Sequence, residues 1–319
     1  MSVHAVPQTL GSTDDDVAAP GHSRVWRALR RDPSFWIGMT AAVLIIAAAV
    51  LAPLLAPHDP NQQFRPEGRT PKGDPVGPSA LFPLGTDTLG RDYLSRLLYG
   101  AQASLTVGLG ANLIATVIGV TVGALAAFVG TPRLRFEVAG RSVDVGIPVE
   151  GFLMRLTDAV LSFPALLLAI ALVAVVGPSL GIVIGVIAAV LWTGIARIVY
   201  SRVLVIRETE FVLAARALGV RRRRLLVRHV MPHLISLVLV YATLGIASTV
   251  LFEATLSFLG VGIPPPGASW GRAISEGLGY YVTDPRLVVL PGLAIMVTIL
   301  AFNLLGDALA DAFDPHHWR

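Results

Sequence analysis

The sequence predicts an all-α integral membrane protein with six transmembrane helices, and three observations predict it. Of the 319 residues, 54% are hydrophobic and only 14% charged, with mean hydropathy +0.69; a soluble domain is roughly a quarter charged. Uncharged runs cover 33–58, 97–132, 159–196, 229–252 and 287–306. Each is long enough for a crossing, which takes roughly 20 helical residues because lipid offers the backbone no hydrogen-bond partner. Basic residues are also asymmetric. With the N-terminus inside, the cytoplasmic side holds eighteen: four in 24–31, four in 133–155, nine in 197–228, and Arg319. Seven remain outside (Arg65, Arg69, Lys72, Arg91, Arg96, Arg272 and Arg286), so both termini are expected in the cytoplasm.

Residues 1–32 form the expected cytoplasmic tail; 1–23 are polar and without periodicity and read as disordered. Arg30-Arg31 is followed by Asp32-Pro33 rather than apolar residues, so it reads as a positive-inside anchor and not a twin-arginine export signal. The first span, near 35–56, exceeds the core of a cleavable signal and is expected to be retained. The outer segment that follows opens with six prolines between Pro57 and Pro78 and is extended. Its end, Gly85–Gly100, offers Asp87 as an N-cap, Gly90, Arg91 and Asp92 in the first turns, and Leu89, Tyr93 and Leu97 near one face. The plain reading is an amphipathic helix at the outer interface with solvated arginines; the functional one is a gate or a docking surface for a delivery protein.

The second span is expected near 103–129. Between it and the third, apolar Leu134, Phe136 and Val138 face Val143, Val145 and Ile147 across Ala139–Ser142. Period two with a glycine-containing turn predicts a small cytoplasmic β-hairpin. The long third run is broken by Gly177-Pro178-Ser179-Leu180-Gly181, giving spans near 154–176 and 182–199. In the inner segment 200–228, Phe211–Leu218 reads as a compact alanine-rich helix stopped by Gly219. Such a helix does not stay exposed without a partner, which argues for a protein docking there. Spans near 229–253 and 287–307 follow, then a short cytoplasmic tail, 316–319.

The composition excludes much chemistry. With no cysteine there is no disulfide, thiolate metal site or cysteine nucleophile. Lys72 is the single lysine, and its setting, Pro71-Lys72-Gly73, is not a phosphate-binding loop, so this chain does not hydrolyse ATP by itself. Nothing beyond the arginine count favours nucleic acid. His229 and His233 have i,i+4 spacing but no third ligand nearby, and no metal site or catalytic constellation is assigned. Asp158, Glu253, Asn303 and Asp307 carry polar groups into or beside the spans and are the candidate pathway or interface residues. Glu253 lies near the outer end of its span and Asp158 and Asp307 near inner ends, where water is close, which favours packing, capping or subunit contacts over a substrate site.

The stretch Glu210-Phe211-Val212-Leu213-Ala214-Ala215-Arg216-Ala217-Leu218-Gly219, continuing through Arg228 to Pro232, resembles the Glu-Ala-Ala loop of bacterial ABC-importer permeases. Gly85–Arg96, Glu253–Gly262, Ser269-Trp270-Gly271 and Phe302–Asp307 through Asp311–Pro315 tighten the likeness to the dipeptide/oligopeptide (peptide/nickel) family, C-type subunit, over about 33–315.

The resemblance implies a type I importer permease fold, a permease domain over 33–315, and a non-enzymatic subunit in the bacterial cytoplasmic membrane. It also implies four kinds of partner: a homologous second permease subunit, two ATPase domains that bind ATP and Mg, an extracytoplasmic substrate-binding protein, and membrane lipids. No cofactor is bound by this chain itself. Glu210, Phe211, Leu213, Ala214, Ala215, Arg216, Gly219 and Pro232 become the ATPase-coupling loop. Two positions depart from the family pattern. Its first motif glutamate falls at Leu213, with Glu210 one turn upstream, and 133–151 is longer than the family's equivalent. Alternatives are a permease for nickel or another small solute, a gradient-driven carrier, for which no internal repeat is found, and a membrane hydrolase, which lacks a nucleophile–base pair.

Overall fold

The computed structural model describes residues 22–129, 133–138, 141–146 and 148–313. Residues 1–21 of the expected 1–32 tail, the turn residues Ala139 and Gly140, and the end of the chain from 314 lie outside them. The helices are α1 (His22–Arg31), α2 (Pro33–Val50), α3 (Ala52–Leu55), α4 (Tyr93–Val129), α5 (Val149–Leu161), α6 (Ala165–Val176), α7 (Leu180–Ile206), α8 (Glu210–Ala217), α9 (Arg222–Leu225), α10 (Ile235–Phe258), α11 (Trp270–Gly277) and α12 (Arg286–Phe313). Strands β1 (Arg133–Val138) and β2 (Arg141–Gly146) pair antiparallel with Leu134 opposite Val145 and Phe136 opposite Val143. The alternation of side chains expected for this pair lies outside what the structure describes.

Among the described residues, five helical stretches are long and apolar enough to cross a membrane: Pro33–Val50, Tyr93–Val129, Leu180–Ile206, Arg222–Phe258 and Arg286–Phe313. A sixth crossing exists if α5 and α6 are one span, but they meet at 89°. The span expected over 154–176 is therefore built from two helices with a sharp bend between them, not from one straight helix. Pro164 has no N–H to donate and its ring crowds the preceding turn, so the ladder stops at Ser162 and α6 restarts after the proline. The Gly177-Pro178-Ser179 break falls where the sequence places it: Gly177 has φ +94°, and the Ser179 hydroxyl accepts from Ile182 N.

Other boundaries move. A helix, α1, precedes the first span, and it packs Leu29 into the cluster that holds Phe35, Ala308 and Ala312. The helix that holds the second expected span starts at Tyr93, and the one that holds the fourth runs on to Ile206. Entry to α10 is irregular, with a π turn over Leu226–Val230 and a 3₁₀ turn over Met231–Leu234, because Pro232 withholds a ladder hydrogen bond.

The centre of the bundle is α4 lying along α7, with α10 on α4 and α12, and α2 on α12. On α4 the buried positions include Gly108, Ala111, Ala115, Gly119 and Gly123; small residues let helix backbones approach when there is no hydrophobic drive between helices in lipid. The chain crosses the bundle repeatedly, so its loops collect at two ends. Residues 51–92 and 259–285 gather at one, and α8, α9 and the irregular turns before α10 at the other.

Candidate functional site

At the second end, α8 is carried on a hydrophobic cluster that includes Val203 and Ile206 of α7, Leu225 of α9, and Val230 and Leu234 of the irregular turns. Val212 and Ala215 point into that cluster, at 0% and 9% exposure. Ala215 therefore packs against its own subunit. The outward face carries Glu210, Phe211, Leu213, Ala214, Arg216 and Leu218, the last 85% exposed. Phe211 packs against His233, with ring centroids 5.0 Å apart and planes tilted by 39°.

The helix ends because Gly219 takes φ +79°, with Gly219 N donating to Arg216 O and Val220 N to Ala215 O. Pro232 is exposed on the 3₁₀ turn beside this surface. Arg207 donates to Ala127 O at 2.8 Å, tying the α7–α8 corner to the end of α4. The result is an apolar, solvent-facing ridge on a rigid base.

At the opposite end the expected amphipathic helix over 85–100 does not form before Tyr93. The Asp87 carboxylate folds back to accept from Leu89 N and Arg91 N, each at 2.9 Å, and Thr86 bridges Asp92, so 86–92 is a tight turn with Gly90 at φ +76°. Asp92 sits where an N-cap would, accepting from Ser95 N at 2.8 Å. The arginines are not solvated either. Arg91 Nε reaches Asp87 Oδ2 at 2.6 Å and Arg96 Nε reaches the same oxygen at 3.2 Å. Glu276 of α11 accepts from Arg91 Nη2 at 2.9 Å and Arg272 Nε at 2.7 Å.

This buried cluster joins the outer segment to α11, and other contacts reinforce it. Arg286 donates to Leu84 O and Val76 O and pairs with Asp284; Tyr93 Oη donates to Leu287 O at 2.7 Å; Trp270 Nε1 donates to Leu97 O at 3.1 Å. Gly85, at φ +74°, leaves room for the Arg286 head, which a Cβ there would overlap at 1.7 Å.

The four polar candidates do not converge. Asp158 of α5 pairs with Arg197 of α7, both side chains 55% exposed. Glu253 is fully buried, contrary to the expectation of nearby water; it accepts from Ser257 Oγ at 2.6 Å beside the hydroxyls of Ser104 and Ser269. Asn303 is half-buried and Asp307 exposed on α12. Among the described residues no three metal-ligating side chains converge. Sequence reasoning missed Asn112, whose amide donates to Ala242 O at 2.7 Å between α4 and α10. The rule that flags polar groups inside spans covers it too.

Residues 119–319 match the family of binding-protein-dependent transport system inner membrane components. The chain belongs to this family of membrane permeases. Residues 23–71 match the N-terminal transmembrane domain of oligopeptide transport permease C, which covers α1, α2 and the start of the outer segment. The permease is 40% identical over 294 residues to a peptide transport system permease protein of Brucella abortus, covering 91% of this chain and 90% of that one. It is 37% identical over 290 residues to a di/tripeptide transport system permease of Pseudomonas aeruginosa, with the same coverage. To a glutathione transport system permease of Shigella flexneri it is 37% identical over 304 residues, covering 94% and 92%. The type I permease fold, the membrane-spanning character and the family role in ABC transport agree with the helices described above.

Proposed function

We propose that this permease forms half of a pathway for di- and oligopeptides across the bacterial cytoplasmic membrane, in a transporter driven by ATP. A second, homologous permease subunit completes the pathway and an extracytoplasmic binding protein delivers cargo. In this reading both termini and α8 face the cytoplasm, with 51–92 and 259–285 outside, and the arginine distribution supports that orientation. The observation that carries the reading is the α8 ridge. Phe211, Leu213 and Leu218 remain 37%, 42% and 85% exposed on a helix whose other face is locked into the subunit. A protein surface that covers this ridge transmits force to α7 and α10, because packed cores shift as units rather than deform.

ATP and Mg belong to the two ATPase domains seated there, and this chain binds no cofactor of its own. The names of the relatives support peptide cargo. Leu213 stands where the family glutamate is expected, so the contact with the ATPase here is apolar at that point, with Glu210 at its edge. Deleting the gene for this chain in an amino-acid auxotroph of the host tests the function. Loss of growth on a dipeptide that supplies the missing amino acid, with growth on the free amino acid intact, is the expected result. Undiminished growth on several such dipeptides refutes it.

A further inference from the structure

We propose that a cleft at the outer mouth of α4 is a subsite for the free ammonium end of an incoming peptide; this deepens the peptide reading above and rests on it. The cleft has a volume of about 470 Å³, within the range of roughly 300–1,000 Å³ typical of small-ligand sites. Four separated stretches wall it: 59–61 of the outer segment, 99–106 of α4, the start of α7 at Leu180, and 263–268.

The chemistry of that lining matches one end of a peptide. Asp59 is its single charged residue, and no arginine or lysine lines it. One carboxylate oxygen, Oδ1, accepts from Asn61 N at 2.7 Å, and Oδ2 takes no protein donor among the described residues. The Asn61 and Gln102 amides and the Tyr99 hydroxyl likewise engage no protein partner there through their side chains. Two amides and a phenol both donate and accept, as backbone N–H and C=O groups of a ligand require. Ile263 and Leu180 add apolar wall for a side chain. Arg96 does not neutralise Asp59, since its head is held by Asp87; instead it donates to Pro60 O at 3.3 Å and Pro266 O at 3.4 Å, bracing two walls of the cleft.

The test uses the complete transporter in proteoliposomes, with partner chains made cysteine-free to match this one. Gln102→Cys places a thiol in the cleft. Modification by a trimethylammonium thiosulfonate is expected to outpace a sulfonate analogue by about 3- to 10-fold after correction for reactivity with a free thiol, since one partly screened charge lies nearby. Asp59→Asn, which keeps the acceptor for Asn61 N, should bring the ratio to about one.

Millimolar dialanine should slow modification, whereas N-acetyl-dialanine and ethylammonium should not. Labelling indifferent to reagent charge, equal protection by the acetylated peptide, or full protection by ethylammonium each overturns the assignment. Asn61→Cys serves as the second reporter if Gln102→Cys does not assemble. Dialanine uptake by the unsubstituted transporter is scored in parallel. Absent uptake defeats the peptide reading, and uptake without thiol protection defeats the subsite alone.

Discussion

Replacing Leu218 by aspartate separates docking from folding at the α8 ridge. The side chain is 85% exposed in the isolated subunit, so it contributes almost nothing to the subunit's own packing. Buried against an ATPase, a leucine side chain contributes about 1.5–3 kcal/mol. Its loss weakens ATPase binding by roughly 10- to 150-fold, at 1.4 kcal/mol per tenfold, and desolvation of the new carboxylate adds to that. Affinity is measured by titrating purified ATPase subunits onto the permease in nanodiscs, and stability by thermal unfolding of the permease alone. The expected result is lower affinity and lost uptake with an unchanged unfolding midpoint. Ala215→Glu, which puts a charge among Val203, Ile206 and Leu225, should lower that midpoint instead. Full ATPase affinity and coupled uptake in the Leu218 variant would refute the docking argument.

Asp87→Asn keeps the turn's acceptor but leaves Arg91 and Arg96 facing each other with one counter-charge fewer. Breaking such a buried pair costs about 3–5 kcal/mol, so the unfolding midpoint should fall and trypsin should cut the outer segment faster; an unchanged midpoint would show the cluster to be idle. Ser79→Cys, in a chain with no native cysteine, should react with an impermeant thiol reagent from outside, and labelling only from the cytoplasm would invert the topology. Deleting 133–147 and joining the ends with a glycine linker tests the β1–β2 pair. An isolated two-stranded hairpin is marginal in water, so we expect it to lean on an ATPase or on its own helix ends and the deletion to reduce coupled uptake; wild-type uptake would show it dispensable.

Hydropathy exposed the crossings because the cost of unsatisfied backbone in lipid acts on whole segments, and an apolar run is a property of a segment. It does not report direction. The uncharged run 159–196 hides the bend at Pro164, where the chain turns by 89° without any change in polarity. The motif helix α8 was legible, but its orientation was not. Ala214 and Ala215 are the same residue type, and which of them is buried depends on Val203, Ile206 and Leu225, distant in sequence or beyond the turn. The arginines at 91 and 96 read as solvated for a similar reason. Glu276, 185 positions after Arg91, completes their cluster, and no local pattern signals it. Asn112 and the burial of Glu253 also depend on how α4 meets α10, which spacing within one helix leaves undetermined.

Uptake of a labelled dipeptide into proteoliposomes holding this permease with the proposed partner subunit, ATPases and binding protein separates an ATP-driven importer from a gradient-driven carrier. Uptake should require ATP inside the ATPase-accessible compartment, persist after proton and sodium gradients are collapsed, and vanish with Leu218→Asp. Dipeptide accumulation driven by an ion gradient in the absence of ATP would instead make this chain part of a secondary carrier.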